Sequence, residues 1–259
     1  MELSDRESAI VAIHRAIDKG LVHIDTAEIY ARGAVEELVG EAIAGYRGDV
    51  FLATKIHPDH ATYAGTLLAC EKSLRRLRTD RLDLFMLHWR GTQPLEETIR
   101  AFEELKKEGK ILAWGLSNFD VADIESAIDI AGAGVIACNQ VLYNLAERDA
   151  EHVIQPVCER HGIAFVGYSP LGSGQFPSRG SWRGDVLAGI AAAHGTTARA
   201  VALAFLARRP SAFVIPKSSR ADHVDELAQA GDLVLTPTEI ETIESAFPLG
   251  PPKSKMPYV

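Results

Sequence analysis

The sequence predicts an α/β protein, a (β/α)8 (TIM) barrel folded as a single domain over residues 1–259. Three observations predict it. Short apolar, β-branched runs alternate with amphipathic helical stretches along the whole chain, the pattern of βαβ units on a parallel sheet. The runs end on a polar residue roughly every 30 residues, the length of one such unit. No Gly-x-Gly-x-x-Gly follows the first run, where an open doubly wound sheet would carry its phosphate-binding turn.

The runs cover 22–25, 50–55, 82–88, 113–117, 135–140, 164–168 and 212–217, which accounts for seven of eight barrel strands. Helical patterns lie at 33–44, 61–77, 96–109, 121–131 and 149–161. One more, at 5–19, precedes the first strand. The interval before the last strand is longer and holds two, 184–194 and 197–208. In the third strand, alternation puts Leu84, Met86 and His88 on one face and Phe85 and Leu87 on the other. With the first set inward, Leu84 and Met86 fill the barrel and His88 caps it; His23, two residues before Asp25, is expected inside as well. In the helix at 96–109, Glu96 and Glu97 at the start and Lys106 and Lys107 at the end complement the helix dipole.

Composition narrows the function classes. The chain is 47% hydrophobic and 24% charged, with 27 basic and 35 acidic residues and a net charge of −8. Such a composition supports a sizeable core and argues against nucleic acid or an anionic membrane as partner. Cys70, Cys138 and Cys158 are odd in number and form no Cys-x-x-Cys pair, so buried reduced thiols are expected. The acidic start, from Met1 to Glu7, has no apolar h-region, and the best apolar stretch, 200–207, falls far below the ~18 residues of a membrane span. A cytoplasmic protein is expected. Nothing in the sequence fixes an oligomeric state, a monomer being the simpler expectation.

In a parallel barrel, function collects at the carboxyl ends of the strands. Those ends read Asp25 with Tyr30, Lys55, His88, Ser117 with Asn118, Gln140, Tyr168 with Ser169, and Lys217 with Ser218. A tyrosine alone is a weak acid at neutral pH. A lysine ammonium beside it favours the phenolate, and a carboxylate holds the lysine in place. With a histidine to orient a carbonyl oxygen, Asp25, Tyr30, Lys55 and His88 suit general acid catalysis. Trp89 is placed to wall a substrate pocket. The loops Ser169-Pro170-Leu171-Gly172-Ser173-Gly174 and Pro216-Lys217-Ser218-Ser219-Arg220 supply glycines, hydroxyls and cations for a phosphorylated ligand. His57-Pro58-Asp59-His60 has metal-ligand residue types but no further ligands beside it in sequence, so it reads as a rim loop and no metal is expected.

The segments Gly20-Leu21-Val22-His23-Ile24-Asp25-Thr26-Ala27-Glu28-Ile29-Tyr30, Leu52-Ala53-Thr54-Lys55, Leu87-His88-Trp89, Gly115-Leu116-Ser117-Asn118-Phe119, Asn139-Gln140, Tyr168-Ser169-Pro170-Leu171 and Ile215-Pro216-Lys217-Ser218 resemble the aldo-keto reductase superfamily, in its compact bacterial form. The match runs in order from about residue 7 to 247. The resemblance implies reduction of an aldehyde or ketone by NADPH, with NADH tolerated. It implies Tyr30 as general acid, Lys55 as the group that makes it a better acid, Asp25 as partner of Lys55, and His88 as the residue orienting the carbonyl. Ser117, Asn118 and Gln140 match carboxamide-binding positions, and Tyr168 matches the ring stacked on the nicotinamide. Ser169, Leu171 and Ser173 match the pyrophosphate loop, and Lys217, Ser218, Arg220 and Glu226 the adenosine end. His223 and Leu227 depart from the usual arginine and asparagine there, which weakens the expected hold on a 2′-phosphate.

The superfamily's opening hairpin and Gly-Thr-Trp-like first strand have no counterpart before the helix at 5–19. Open parallel edges are therefore expected beside the strands ending at Asp25 and Lys217. Two other readings stay open at this point. One, prompted by the missing first strand, is a catalytically impaired barrel that binds nucleotide as a sensor or scaffold; the other is a Schiff-base lyase or aldolase on Lys55, against which the pairing with Asp25 argues.

Overall fold

The computed structural model describes residues 6–253. Among them, seven parallel strands form one sheet in sequence order, curled into a nearly closed barrel. They are β1 (His23–Asp25), β2 (Phe51–Ile56), β3 (Leu82–Leu87), β4 (Ile111–Ser117), β5 (Cys138–Leu142), β6 (Ala164–Tyr168) and β7 (Ala212–Ile215). Helices alternate with them: α1 (Arg6–Asp18), α2 (Ala34–Ala42), α3 (Tyr63–Leu77), α4 (Leu95–Lys107), α5 (Val121–Ala131), α6 (Ile154–His161), α7 (Trp182–Ala193) and α8 (Ala198–Leu206). After β7 come α9 (Ala221–Ala228) and α10 (Pro237–Ala246). The expected (β/α)8 class is the observed one, and β1 and β7 are the two ends of the described sheet.

Alternation along β3 is as expected. Leu84 and Met86 join Ala53, Cys138 and Val166 in the small cluster inside the barrel, while Phe85 and Leu87 pack outward into the larger core between strands and helices. The outer core carries Trp114, Phe102, Phe165 and Phe205, all fully buried, which is where most of the apolar burial lies. His23 sits edge-on to Phe51 with ring centres 5.0 Å apart, and Phe51 is itself 40% exposed.

Local chemistry sets the helix ends. Thr62, Ser181 and Thr197 cap α3, α7 and α8 by accepting from backbone N–H groups three residues on. α4 begins with Glu96 and Glu97 and ends with Lys106 and Lys107, matching its dipole. The stretch expected as one helix at 149–161 is two elements, a 3-10 turn Asp149–Glu151 and α6. Pro156 explains the break: it lacks an N–H and is tolerated only in the first turn of a helix, so α6 starts just before it. All three cysteines are buried thiols, with Cys138 pushed up to about 12 by burial. No single described helix is long and apolar enough to cross a membrane.

Candidate active site

Four strands deliver the central residues. Asp25 is the last residue of β1 and Lys55 the penultimate residue of β2; His88 follows β3 directly, and Gln140 is central in β5. Lys55 is 1% exposed, an arrangement that a long cationic side chain tolerates only when its charge is matched. Its ammonium is paired with Asp25 and donates to the Thr26 carbonyl at 3.0 Å. The second Asp25 oxygen accepts from Gln140 Nε2 at 2.9 Å.

Tyr30 comes from the loop after β1, at the start of a tight turn over Tyr30–Gly33. Lys55 Nζ lies 5.4 Å from the centre of the Tyr30 ring, and the Tyr30 and His88 rings meet edge to face with centres 5.9 Å apart. Lysine, tyrosine and histidine thus converge on one spot. Burial, followed by the nearby Lys55 charge, pushes the His88 imidazole down to about 3. A neutral imidazole results, able to donate one hydrogen bond without bringing charge. Trp89 packs between two imidazoles, 4.9 Å from His88 and 4.8 Å from His57 between ring centres.

Asn118 adopts a left-handed conformation (φ +57°), uncommon for a residue with a side chain. Its amide donates to the His88 carbonyl at 3.1 Å and to Ser117 Oγ at 3.2 Å, and its oxygen accepts from the Tyr168 hydroxyl at 3.0 Å. Asn118 therefore ties together the ends of β3, β4 and β6. The loop after β6 turns through left-handed Ser169, Gly172, Ser173 and Gly174, with Ser173 Oγ donating to Ser169 Oγ at 3.1 Å and Leu171 leading into the turn. A Cβ at Gly174 would meet nothing within 4 Å, so open space lies over this turn.

The structure brings together Asp25, Tyr30, Lys55, His88, Trp89, Ser117, Asn118, Gln140 and Tyr168 through these contacts. The group after β7 makes its own, local contacts. Ser218 Oγ bonds the Arg220 backbone, Arg220 pairs with Asp222 (Nε to Oδ1 3.0 Å), and Glu226 pairs with Arg199 at 3.3 Å. Lys217 is exposed on the same loop. The loop at 57–60 folds on itself, with His57 Nδ1 accepting from the Asp59 N–H at 3.2 Å and His60 Nδ1 lying 2.9 Å from Glu28. No cluster of three or more metal-ligating side chains occurs among the described residues. Two participants escape sequence reading: the Thr26 carbonyl, because backbone groups carry no residue signature, and Glu28, which accepts from the His57 N–H at 2.6 Å.

A parallel barrel whose mouth gathers a buried lysine–carboxylate pair, a tyrosine and a neutral histidine holds groups able to carry acid–base chemistry. The chain belongs to the aldo/keto reductase family, whose sequence profile matches residues 2–247. It is accordingly an oxidoreductase. Methylglyoxal reductase YeaE of Escherichia coli K12 is 39% identical over 98% of this chain and 89% of its own length. Glyoxal reductase of Bacillus subtilis 168 is 33% identical over 94% of this chain and 85% of its own. A crystal structure of an aldo-keto reductase from Klebsiella pneumoniae in complex with NADPH superposes with a TM-score of 0.93 at 40% identity, covering 100% of this chain and 91% of that one.

Proposed function

We propose that the protein reduces a small aldehyde or ketone to the alcohol, with NADPH as reductant and Tyr30 as general acid. The observation that carries the reading is the convergence of Lys55, Tyr30 and His88 on one point at the barrel mouth. A carbonyl there accepts a hydrogen bond from neutral His88, and the Tyr30 hydroxyl passes its proton to the developing alkoxide. Lys55, paired with Asp25, stabilises the phenolate left behind. Trp89 walls the pocket.

NADPH, when bound, supplies the hydride. The residues present fit a dinucleotide: hydroxyl and amide donors at Ser117, Asn118 and Gln140 for the carboxamide, and the Tyr168 ring for stacking. The left-handed turn through Ser169, Leu171 and Ser173 suits the pyrophosphate. At the adenosine end Lys217, Ser218, Arg220 and Glu226 fit less fully, because Asp222 already answers the Arg220 charge. NADH is expected to serve as a poorer substitute. The names of the relatives, methylglyoxal reductase and glyoxal reductase, support a short 1,2-dicarbonyl as substrate. Purified protein should oxidise NADPH on addition of methylglyoxal or a reactive aromatic aldehyde, with the alcohol recovered in equal amount. Failure to do so with any member of a broad carbonyl panel, despite measurable NADPH binding, overturns the reading in favour of a barrel that binds nucleotide without turnover.

A further inference from the structure

Glu36, in the first turn of α2, is fully buried and charged residues at such depth are seldom left without a job in packing or chemistry. One carboxylate oxygen accepts from Thr54 Oγ1 on β2 at 2.7 Å, and the other from Arg76 Nε on α3 at 2.6 Å. Arg76 also donates to Ser73 Oγ at 3.3 Å. Thr54 immediately precedes Lys55. Glu36 lies three residues beyond Gly33, the last residue of the Tyr30 turn.

That turn has an unusual backbone. Ala31, Arg32 and Gly33 are all left-handed, at φ +47°, +56° and +92°. Two successive residues with side chains in this region are strained, so the surroundings must hold them there. Gly33 packs directly on Arg76: a Cβ would lie 2.7 Å from Arg76 Cδ and 2.8 Å from Nε, and the guanidinium is pinned by Glu36. On the near side of Tyr30, the Glu28 N–H donates to the Lys55 carbonyl at 3.2 Å. The loop carrying Tyr30 is thus tied to β2 on both flanks, at two adjacent residues, Thr54 and Lys55.

We propose that Glu36 and Arg76 form a clamp that fixes the Tyr30 turn against the strand bearing Lys55, making both positioning residues for the reaction; the proposal rests on the reading of Tyr30 as general acid. Neither touches the reacting groups. Their work is to hold Tyr30 in place with respect to Lys55 and His88, a placement whose loss by about 1 Å costs roughly 100-fold in rate.

The test compares Glu36→Gln and Thr54→Val with Thr54→Ser, which keeps the hydroxyl, and with Arg208→Met, which disrupts the separate Arg208–Glu151 ion pair. Each is scored for kcat, KM, NADPH affinity by fluorescence titration, and Tm. The clamp predicts kcat lower by roughly 10–100-fold in Glu36→Gln and Thr54→Val, with KM and NADPH affinity little changed and Thr54→Ser restored. Arg208→Met should lose Tm without a comparable loss of kcat. If Thr54→Val turns over like wild type, or if Glu36→Gln loses no more kcat than Arg208→Met at matched loss of Tm, the clamp is wrong. Tyr30→Phe, run alongside, separates the two ideas. Collapse in Tyr30→Phe with unaffected clamp variants overturns the clamp alone, whereas wild-type turnover in Tyr30→Phe overturns the reading and the clamp with it.

Discussion

Gln140 donates from Nε2 to Asp25 Oδ2 at 2.9 Å, across the barrel from β5 to β1. The carboxylate that neutralises Lys55 therefore has a second partner, and that partner is a residue proposed to hold the nicotinamide carboxamide. Replacing Gln140 by leucine removes a hydrogen bond to a charged group, worth about 1.5–3 kcal/mol. Both NADPH affinity and kcat should fall, the former by roughly 10-fold or more. Fluorescence titration and steady-state kinetics on the same variant check the two together. A fall in affinity with unchanged kcat would show that Asp25 needs Lys55 alone.

His88 is expected to stay neutral well below pH 6. Burial and the Lys55 charge hold its native-state value at about 3, whereas the unfolded chain takes up the proton at 6.5. The unfolded state thus binds more protons across that window, and His88 costs stability progressively as pH falls from 6.5 toward 3. In an NMR titration of the native protein its ring resonances should not shift between pH 7 and about 4.5. In denaturant titrations, His88→Gln should lose less stability than wild type between neutral pH and pH 5. A His88 midpoint near 6 would contradict the neutral donor role.

A second buried network concerns stability. Glu151 accepts from Arg148 at 2.7 Å, from the Tyr143 hydroxyl at 2.6 Å and from Arg208 at 2.9 Å, while Arg148 also donates to the Phe247 carbonyl at 2.8 Å. Burial alone would raise the Glu151 carboxyl, but Arg148, Tyr143 and Arg208 overcome it and hold it at about 2. The stabilisation is present above 4.5 and is lost as pH falls toward 2. Arg148→Met leaves a buried carboxylate short of its main partner, an effect of about 3–5 kcal/mol in unfolding free energy. Chemical denaturation at pH 7 measures it directly; a change below about 1 kcal/mol, the size of a surface pair, would contradict the network.

At the far end of the proposed cofactor site, Asp222 competes for Arg220. Asp222→Asn should release the guanidinium toward a 2′-phosphate and raise the ratio of NADPH to NADH affinity. Arg220→Ala should lower that ratio. Binding titrations with both nucleotides decide it, and an Asp222→Asn variant with an unaltered ratio would remove Arg220 from the phosphate subsite.

Fold class was legible because period carries it. Two-residue alternation sorted Leu84 and Met86 from Phe85 and Leu87 correctly, and polar punctuation gave the strand ends to within a few residues. Gln140 is the instructive exception: it reads as a strand end but β5 runs on to Leu142, and Gln140 shares the inward face of Cys138 and reaches Asp25. Contacts of that kind depend on closure of the sheet, which no local pattern encodes. The helices after β7 lie outside the predicted ones, although Thr236-Pro237-Thr238-Glu239 announces one; both halves of its capping box are formed. The hold of Asn118 on the His88 carbonyl needs a left-handed φ that asparagine permits but does not dictate.

The most direct test of the account is Tyr30→Phe, which removes one oxygen and leaves the ring packed between Lys55 and His88. General acid catalysis is worth roughly 100–10,000-fold. The account predicts a loss of carbonyl reduction in that range, with NADPH affinity and Tm close to wild type. A Tyr30→Phe protein that reduces the same substrate within a few-fold of the wild-type rate would contradict it.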